Sequence, residues 1–356
     1  MRASSLWLSV AFSLSLSLSL ATFTAASGAA TAAPPSVQAI MEAMNKANAA
    51  VVGIRVTAVE GSRSAESLGM KRTGSGVVIG ADGLVLTIGY LVLEAEQIEI
   101  VTQDNRILPA TAVAYDIATG FGLVRPLLPM RGVAPVTLGS VRDLKPGESL
   151  MAATGASGSA NSDDSGVSMT QLVNTRAFSG TWEYHLDTAI FTSPPVASSR
   201  GNHSGAPLFN HRGELVGIGS LLVMDASGEN RRNPGNMFVP VDLLKPILAE
   251  MRQSGSSRQS HRPWLGLTSS DREGKVQIVR VSADSPAEIA GLLPGVVVLA
   301  VDGDQVTTLE GFYKKVWART APTEPVRLTI MQGSEVRTIV LTPQDRMLTL
   351  KKPAGI

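Results

Sequence analysis

The sequence predicts a mainly β protein that ends in a smaller α+β unit, on two observations. From residue 51 onward, short runs of aliphatic and β-branched residues recur between turn residues. Many short strands at regular spacing indicate a β-barrel or a sandwich rather than alternating βαβ units. A Ser/Gly/Arg/Gln-rich linker over 254–261 then marks a boundary, after which strands and helices are mixed. We therefore expect a β domain over 34–253 and a second domain over 262–345.

The β domain is predicted to begin with a short amphipathic helix over 36–50, where apolar residues stand at helical spacing. A strand over 51–59 follows, and the strands at 76–79 and 84–86 flank an Ala-Asp-Gly turn that indicates a hairpin. The same alternation predicts further strands at 98–102, 110–114, 123–125, 149–152, 169–173, 190–192, 215–220 and 237–240.

Three other segments complete the sequence prediction. Residues 161–166 form a polar Ser/Asp/Gly loop, and residues 242–251 are predicted to form the helix that closes the β domain. In the second domain we expect strands at 276–281, 296–301, 326–331 and 336–341, with helices at 285–295 and 309–318.

Residues 1–33 are predicted to be a secretory signal. Arg2 supplies a positive start, 6–20 is a serine-laced apolar run, and 25–33 is a stretch of small residues suited to cleavage. We expect export to a bacterial periplasm, with no membrane span left after cleavage. The chain has no cysteine, so burial alone has to hold the fold. A net charge of +1 and 4% aromatic residues argue against nucleic acid as a partner.

Three motifs resemble the HtrA/Deg-type trypsin-like proteases, in which a double β-barrel precedes a C-terminal PDZ domain. Residues 200–208 read RGNHSGAPL, like the nucleophile turn of that family. Residues 73–79 read TGSGVVI, like its first hairpin, and 236–241 read NMFVPV, like its last strand. The resemblance covers about residues 50–345. It implies a trypsin-like double barrel over 34–253 and a PDZ domain over 262–345.

The same resemblance shows where this chain departs from the family. Aligning 87–92 (TIGYLV) with the family's histidine motif puts Tyr90 at the position of the catalytic base. Aligning 116–124 with its aspartate motif puts Gly120 at the position of the acid. Ser204 keeps the nucleophile position, with Asn202, His203 and Gly205 forming the oxyanion turn around it.

A serine hydroxyl needs a base to remove its proton, and a phenol with an ordinary pKa of ~10 does not provide one at neutral pH. The resemblance therefore implies an inactive protease, a pseudoprotease. An alternative is an active serine endopeptidase in which Ser204 uses a non-standard base, and a third class is a structural subunit of an envelope complex. The histidine spacings match no metal-ligand pattern, so we expect neither a metal nor a cofactor.

The second domain carries the residues expected to bind a partner. Its opening segment resembles the carboxylate-binding loop of PDZ domains, in which consecutive backbone N–H groups capture a peptide C-terminus. The expected peptide-binding residues are Trp264, Leu265, Gly266 and Leu267. The resemblance implies polypeptide C-termini or unfolded segments as partners, for an adaptor, scaffold or holdase. Homo-oligomerisation stays open, because residues 34–52 contain no aromatic residue.

Overall fold

The computed structural model describes residues 36–156, 166–196, 203–229 and 231–351. The predicted signal lies outside these residues, as does the predicted loop over 161–166 except for its last residue. Among the described residues, no helix has the length and apolar character needed to cross a membrane.

The first barrel follows helix α1 (Val37–Asn48), which lies where the amphipathic pattern predicted it. Its six strands close in the order β1-β2-β3-β6-β5-β4. They are β1 (Val51–Ala58), β2 (Lys71–Val78), β3 (Val85–Ile88), β4 (Ala95–Val101), β5 (Ile107–Tyr115) and β6 (Phe121–Pro126). Two short helices, α2 (Arg63–Leu68) and α3 (Gly89–Val92), interrupt the strands, and neither was predicted.

The second barrel also has six strands, in the order β10-β11-β12-β9-β8-β7. They are β7 (Ser149–Thr154), β8 (Gly166–Gly180), β9 (Tyr184–Ser193), β10 (Pro207–Phe209), β11 (Leu215–Val223) and β12 (Gly235–Pro240). The hairpin of β8 and β9 is much longer than the predicted strands at 169–173 and 190–192. Its extension brings the three-residue turn 181–183 to the second domain.

One apolar core runs through both barrels, because alternate strand residues of each barrel face inward. Phe121 of the first barrel and Phe191 and Phe209 of the second are among its fully buried side chains. Burying one such aromatic side chain stabilises the fold by about 1.5–3 kcal/mol. The packed barrels therefore fix the loops that meet between them.

The predicted closing helix over 242–251 was wrong in its bounds. The structure has a 3₁₀ turn at Val241–Leu243, and helix α4 spans Leu248–Ser254. Pro246 accounts for the difference, because proline lacks an N–H and disfavours helical geometry in the residue before it. Gly255 then ends α4 in the left-handed conformation, with φ of 80°.

The second domain is built on a six-stranded antiparallel sheet with two helices. The strands that begin and end the domain, β13 (Pro263–Trp264) and β20 (Gln344–Asp345), pair with each other. The sheet runs β14 (Leu267–Arg272), β15 (Lys275–Val281), β16 (Val297–Val301), β18 (Val326–Gln332) and β19 (Glu335–Leu341), with β17 (Asp304–Gln305) beside β16. The helices are α5 (Pro286–Ile289) and α6 (Leu309–Trp317).

Helix α5 is shorter than the helix predicted over 285–295. Ser285 caps its start by accepting a hydrogen bond from the Glu288 amide, and Pro286 occupies its first turn. Gly291 ends the helical path because its φ of 73° is left-handed. The remaining residues of the predicted helix form the turn that leads into β16.

The segment predicted to be a linker packs against the first barrel. The carboxylate of the buried Asp116 accepts hydrogen bonds from the hydroxyl groups of Ser257, Ser260 and Thr119. Burial raises the pKa of this carboxyl group, but the hydrogen bonds outweigh burial and hold it below its ordinary value. Asp116 therefore fixes the path of the chain between the two domains.

Candidate functional site

Ser204 lies in a turn held between the two barrels. The Ser75 amide of β2 donates to the Ser204 carbonyl oxygen at 2.8 Å, and the Gly205 amide donates to the Gly219 carbonyl oxygen at 2.8 Å. Gly205 has a φ of 77°, and a Cβ at this position would lie 2.0 Å from the Ser75 carbonyl oxygen. Glycine is therefore required here, both by conformation and by space.

The hydroxyl of Ser204 is hydrogen-bonded to the phenol of Tyr90. The two oxygens are 2.7 Å apart, and the Tyr90 oxygen is also 2.8 Å from the Ser220 carbonyl oxygen. A carbonyl oxygen only accepts, so the single phenolic proton is directed to Ser220. The Ser204 hydroxyl then donates to Tyr90, and its proton points at a neutral phenol.

Tyr90 is a very weak base in this setting. Burial raises the pKa of Tyr90 to about 12, and the hydrogen bond with Ser204 opposes that rise only in part. At neutral pH the phenol is fully protonated, and a protonated phenol has no strongly basic site for the serine proton. The side chain that is hydrogen-bonded to the Ser204 hydroxyl is therefore a very weak base.

The side chain of Tyr184 fills the space beside Gly120, the residue that motif alignment puts at the position of the family's aspartate. Gly120 has a φ of 83°, and a Cβ built there would lie 2.9 Å from the hydroxyl oxygen of Tyr184. That hydroxyl donates to the Thr119 carbonyl oxygen at 2.7 Å, and burial raises the pKa of Tyr184. The phenol of Tyr184 thus fills the space next to Gly120, and restoring an acid there would require Tyr184 to move.

The four histidine rings, all within the described part of the chain, make no hydrogen bond to the Ser204 hydroxyl. His185 bonds to Ser179 and Asp187, His211 contacts Glu148, and His261 contacts Asp345 and Ser256. The ring of His203 is adjacent in sequence, and burial lowers its pKa. None of the four imidazoles is therefore a hydrogen-bond partner of the Ser204 hydroxyl in this structure.

The predicted oxyanion turn is described only in part. Asn202 lies outside the described residues, so its role stays a prediction. The His203 carbonyl oxygen accepts from the Ala206 amide at 3.1 Å, which closes the tight turn around Ser204. The roles assigned to His203 and Gly205 stay predictions too, although Gly205 has the conformation that this turn requires.

Among the residues that the structure describes, one group of possible metal ligands lies at the junction of the two domains. One donor atom each from His185, Asp187 and Glu310 falls within a 4.8 Å cluster. The ammonium of Lys314 is 2.6 Å from an Asp187 oxygen and 2.8 Å from a Glu310 oxygen. The ammonium of Lys314 thus already bridges the two carboxylates, so this group does not by itself indicate a metal site.

The four residues predicted to bind a peptide lie where the second domain begins. Trp264 ends β13, Leu265 and Leu267 are buried, and Gly266 has a φ of 84°. A Cβ at Gly266 would lie 2.2 Å from the Ser285 side chain, so only glycine fits the loop. This geometry turns three successive amides toward one point.

That point is occupied by the carboxylate of Glu183, from the β8–β9 turn of the barrel domain. The carboxylate accepts from the Leu265 amide at 3.1 Å, from the Leu267 amide at 3.3 Å, and from the Gly266 amide. Burial raises the pKa of Glu183 to about 7, while Arg346 and the three amides act in the opposite direction. The loop therefore binds a carboxylate group, but one that belongs to the chain itself.

Sequence reasoning missed both Tyr184 and Glu183. Tyr184 stands 64 positions after the glycine whose empty space it fills, and nothing in the local sequence connects the two. Glu183 is a single acidic residue in a hairpin turn, a common place for a solvated charge. Only the extension of β8 and β9 beyond their predicted ends places both side chains at their sites.

Comparison with protein families identifies both domains. A family described as the trypsin-like peptidase domain matches residues 74–218, and the PDZ domain family matches residues 263–342. These matches confirm the predicted fold class, a mainly β trypsin-like double barrel followed by a PDZ domain.

Proteases of the HtrA/Deg type are among the relatives of the chain. It is 28% identical over 285 residues to a DegP-like periplasmic serine endoprotease from Halomonas elongata, a match that covers 76% of this chain and 56% of that protein. It is 25% identical over 280 residues to the serine endoprotease DegS from Haemophilus influenzae, covering 79% of each. The chain thus spans about half the length of the first of these relatives.

Solved structures show the same fold. The HtrA-type protease AlgW, solved with a tripeptide, aligns over 90% of this chain and 98% of its own, with a TM-score of 0.53 and 22% identity. The serine endoprotease of Yersinia pestis aligns over 88% and 99%, with a TM-score of 0.52. The chain is thus similar in sequence and in fold to HtrA-type proteases, and it carries a trypsin-like peptidase domain and a PDZ domain.

Proposed function

We propose that the protein is an exported, proteolytically inactive HtrA/Deg-like protein that binds polypeptides through its PDZ domain. The observation that carries the proposal is the 2.7 Å hydrogen bond between the hydroxyl groups of Ser204 and Tyr90. The partner of the Ser204 hydroxyl is therefore a phenol. None of the four histidine rings makes a hydrogen bond to that hydroxyl. In a serine protease, loss of the histidine alone costs about 10⁶-fold in kcat.

The PDZ domain supports the binding half of the proposal. Its loop amides already hold a carboxylate, which is the group that a peptide C-terminus would present. Residues 1–33 and the naming of a relative as periplasmic support export to the periplasm. An adaptor, a scaffold or a holdase would each use such a site, without needing an active serine.

The second candidate is an active serine endopeptidase with a non-standard base. Two observations favour it: Ser204 is retained in its glycine-dependent turn, and the relatives are named as serine endoproteases. Digestion of unfolded casein by the purified protein, with Ser204→Ala as the matched control, separates the candidates. Cleavage above background that disappears in Ser204→Ala would refute the inactive assignment, whereas equal background in both proteins supports it.

A further inference from the structure

The tip of the β8–β9 hairpin, residues 180–183, lies in the groove between β14 and α6 of the PDZ domain. On one side, the Ser269 amide of β14 donates to the Thr181 carbonyl oxygen at 2.8 Å. On the other side, the Tyr313 hydroxyl of α6 donates to the Gly180 carbonyl oxygen at 2.9 Å. The hairpin tip therefore contacts both walls of the groove through its backbone.

The contacts of the hairpin tip reproduce those that an extended peptide would make. Main-chain pairing with the edge strand is the usual way in which a sheet edge binds a peptide, and Thr181 makes one such bond to β14. The Glu183 carboxylate accepts hydrogen bonds from the loop amides of Leu265 and Leu267, as the terminal carboxylate of a bound peptide would. Glu183 is about 5% exposed, so its side chain is buried against the loop at the place where a peptide carboxylate would bind.

The backbone at Glu183 has an unusual conformation for its residue type. Its φ of 58° lies in the left-handed region, where glycine or asparagine is the usual choice for the last residue of a three-residue hairpin turn. Such conformations persist where surrounding contacts over-determine them, and they concentrate at functional sites. Here the surrounding contacts are the PDZ loop amides, together with the Arg346 side chain, which donates to the Trp182 carbonyl oxygen at 3.3 Å.

We propose that the hairpin tip is a built-in ligand of the PDZ domain, so that a polypeptide with a free C-terminal carboxylate binds only when it displaces Glu183. This inference rests on the proposed peptide-binding function and adds a condition to it. The competing segment is part of the same chain, so it is present at every protein concentration. The affinity for an external peptide falls by the fraction of molecules in which the groove is open.

The test compares two substitutions of the same kind. Glu183→Gly removes the carboxylate and puts a glycine, which adopts the left-handed backbone conformation readily, at this position of the turn. Glu273→Gly makes the same change at another left-handed glutamate, with φ of 53°, in the exposed β14–β15 turn of the same domain. Glu183→Gln, which keeps the size of the side chain without its charge, is the second test variant. Thermal unfolding checks that each full-length variant is folded.

Binding is measured with fluorescein-labelled decapeptides randomised at their last four positions, as free acids and as C-terminal amides. The free acids should bind Glu183→Gly at least about tenfold more tightly than the unmodified protein, and Glu183→Gln more tightly too, because an open fraction below about one tenth lowers affinity by that factor. Glu273→Gly should bind like the unmodified protein, and the amides should bind weakly to all. Equal affinity for the unmodified protein, Glu183→Gly and Glu183→Gln would overturn the inference while leaving the proposed function standing.

Hydrogen exchange separates the inference from the function on which it rests. The amides of Leu265, Gly266 and Leu267 should exchange slowly in the unmodified protein and in Glu273→Gly, and faster in Glu183→Gly. If no protein binds the peptides, the proposed function fails, and exchange alone then decides whether the hairpin tip closes the groove. Equal exchange in the unmodified protein and in Glu183→Gly would overturn that closure.

Discussion

Replacing Glu183 by glutamine should make the stability of the protein less dependent on pH. Burial raises the pKa of Glu183 to about 7 in the folded protein, against an ordinary value of 4.5. The groups that face this carboxyl group are the guanidinium groups of Arg346 and Arg262, the phenol of Tyr313 and the loop amides. Burial outweighs the favourable charges, so the folded state binds a proton that the unfolded state has already released.

The sign and size of the effect follow from this difference. Because the folded pKa lies above the unfolded value, the folded state holds more protons than the unfolded state between pH 4.5 and pH 7. The free energy of unfolding therefore falls as the pH rises through this window, and is level above it. At about 1.4 kcal/mol per pKa unit, the contribution of Glu183 falls by about 2–3 kcal/mol between pH 5 and pH 8.

Urea unfolding at pH 5, 6, 7 and 8 measures the effect in the unmodified protein and in Glu183→Gln. Other groups titrate alike in both proteins, so the difference between the two curves isolates Glu183. Glu273→Gln, with an exposed side chain, serves as the control and should follow the unmodified protein. Parallel pH dependence in the unmodified protein and Glu183→Gln would refute the view that this carboxyl group is buried against the loop.

Three further variants test the nucleophile site and the domain boundary. Tyr90→Phe removes the donor to the Ser220 carbonyl oxygen; it should lower the free energy of unfolding by about 1–3 kcal/mol in urea titrations without creating casein cleavage. Tyr90→His combined with Gly120→Asp should stay inactive against casein, because Tyr184 fills the space beside position 120; activity in this double variant would contradict that steric argument. Asp116→Asn should cost about 1–3 kcal/mol and make the segment 256–260 more susceptible to limited proteolysis. Because the pKa of Asp116 is held low, its contribution should be present above pH 4 and lost as the pH falls below its ordinary value.

The sequence predicted eleven of the twelve barrel strands, because apolar residues alternate or cluster between clear turn signals, but it missed the short strand β10 (Pro207–Phe209). The strand at Val51–Ala58 and the helix at Val37–Asn48 end within two residues of their predicted bounds. The closing helix was misplaced where Pro246 interrupts an otherwise helical pattern. Local pattern thus fixed most elements, while their ends depended on single residues.

At the nucleophile site, the sequence does not give the contacts that the aligned residues make. The assignment of Tyr90 and Gly120 to the positions of the base and the acid rests on motif alignment alone and stays a prediction. The hydrogen bond from Ser204 to Tyr90, and the phenol of Tyr184 beside Gly120, join residues that are 114 and 64 positions apart. Contacts of this kind depend on tertiary packing, which no local pattern encodes.

The contact between Glu183 and the PDZ loop could not be predicted from the sequence either. The loop at 264–267 was recognisable by its residues, but its partner Glu183 comes from another domain. Residues 174–180 are mostly polar or small and gave no strand signal, so the length of β8 and the position of its turn were missed. The register of the hairpin, which pairs Gly180 with Tyr184, is what places Glu183 at the loop.

Labelling by a fluorophosphonate measures the reactivity of Ser204 directly, because the reagent forms a covalent adduct only with an activated serine hydroxyl. Intact-mass spectrometry would compare the unmodified protein with Ser204→Ala, with trypsin as the positive control. We expect no mass increase in either form of this protein under conditions that label trypsin fully. A stoichiometric adduct on the unmodified protein that is absent from Ser204→Ala would show that the phenol of Tyr90 does not silence this serine.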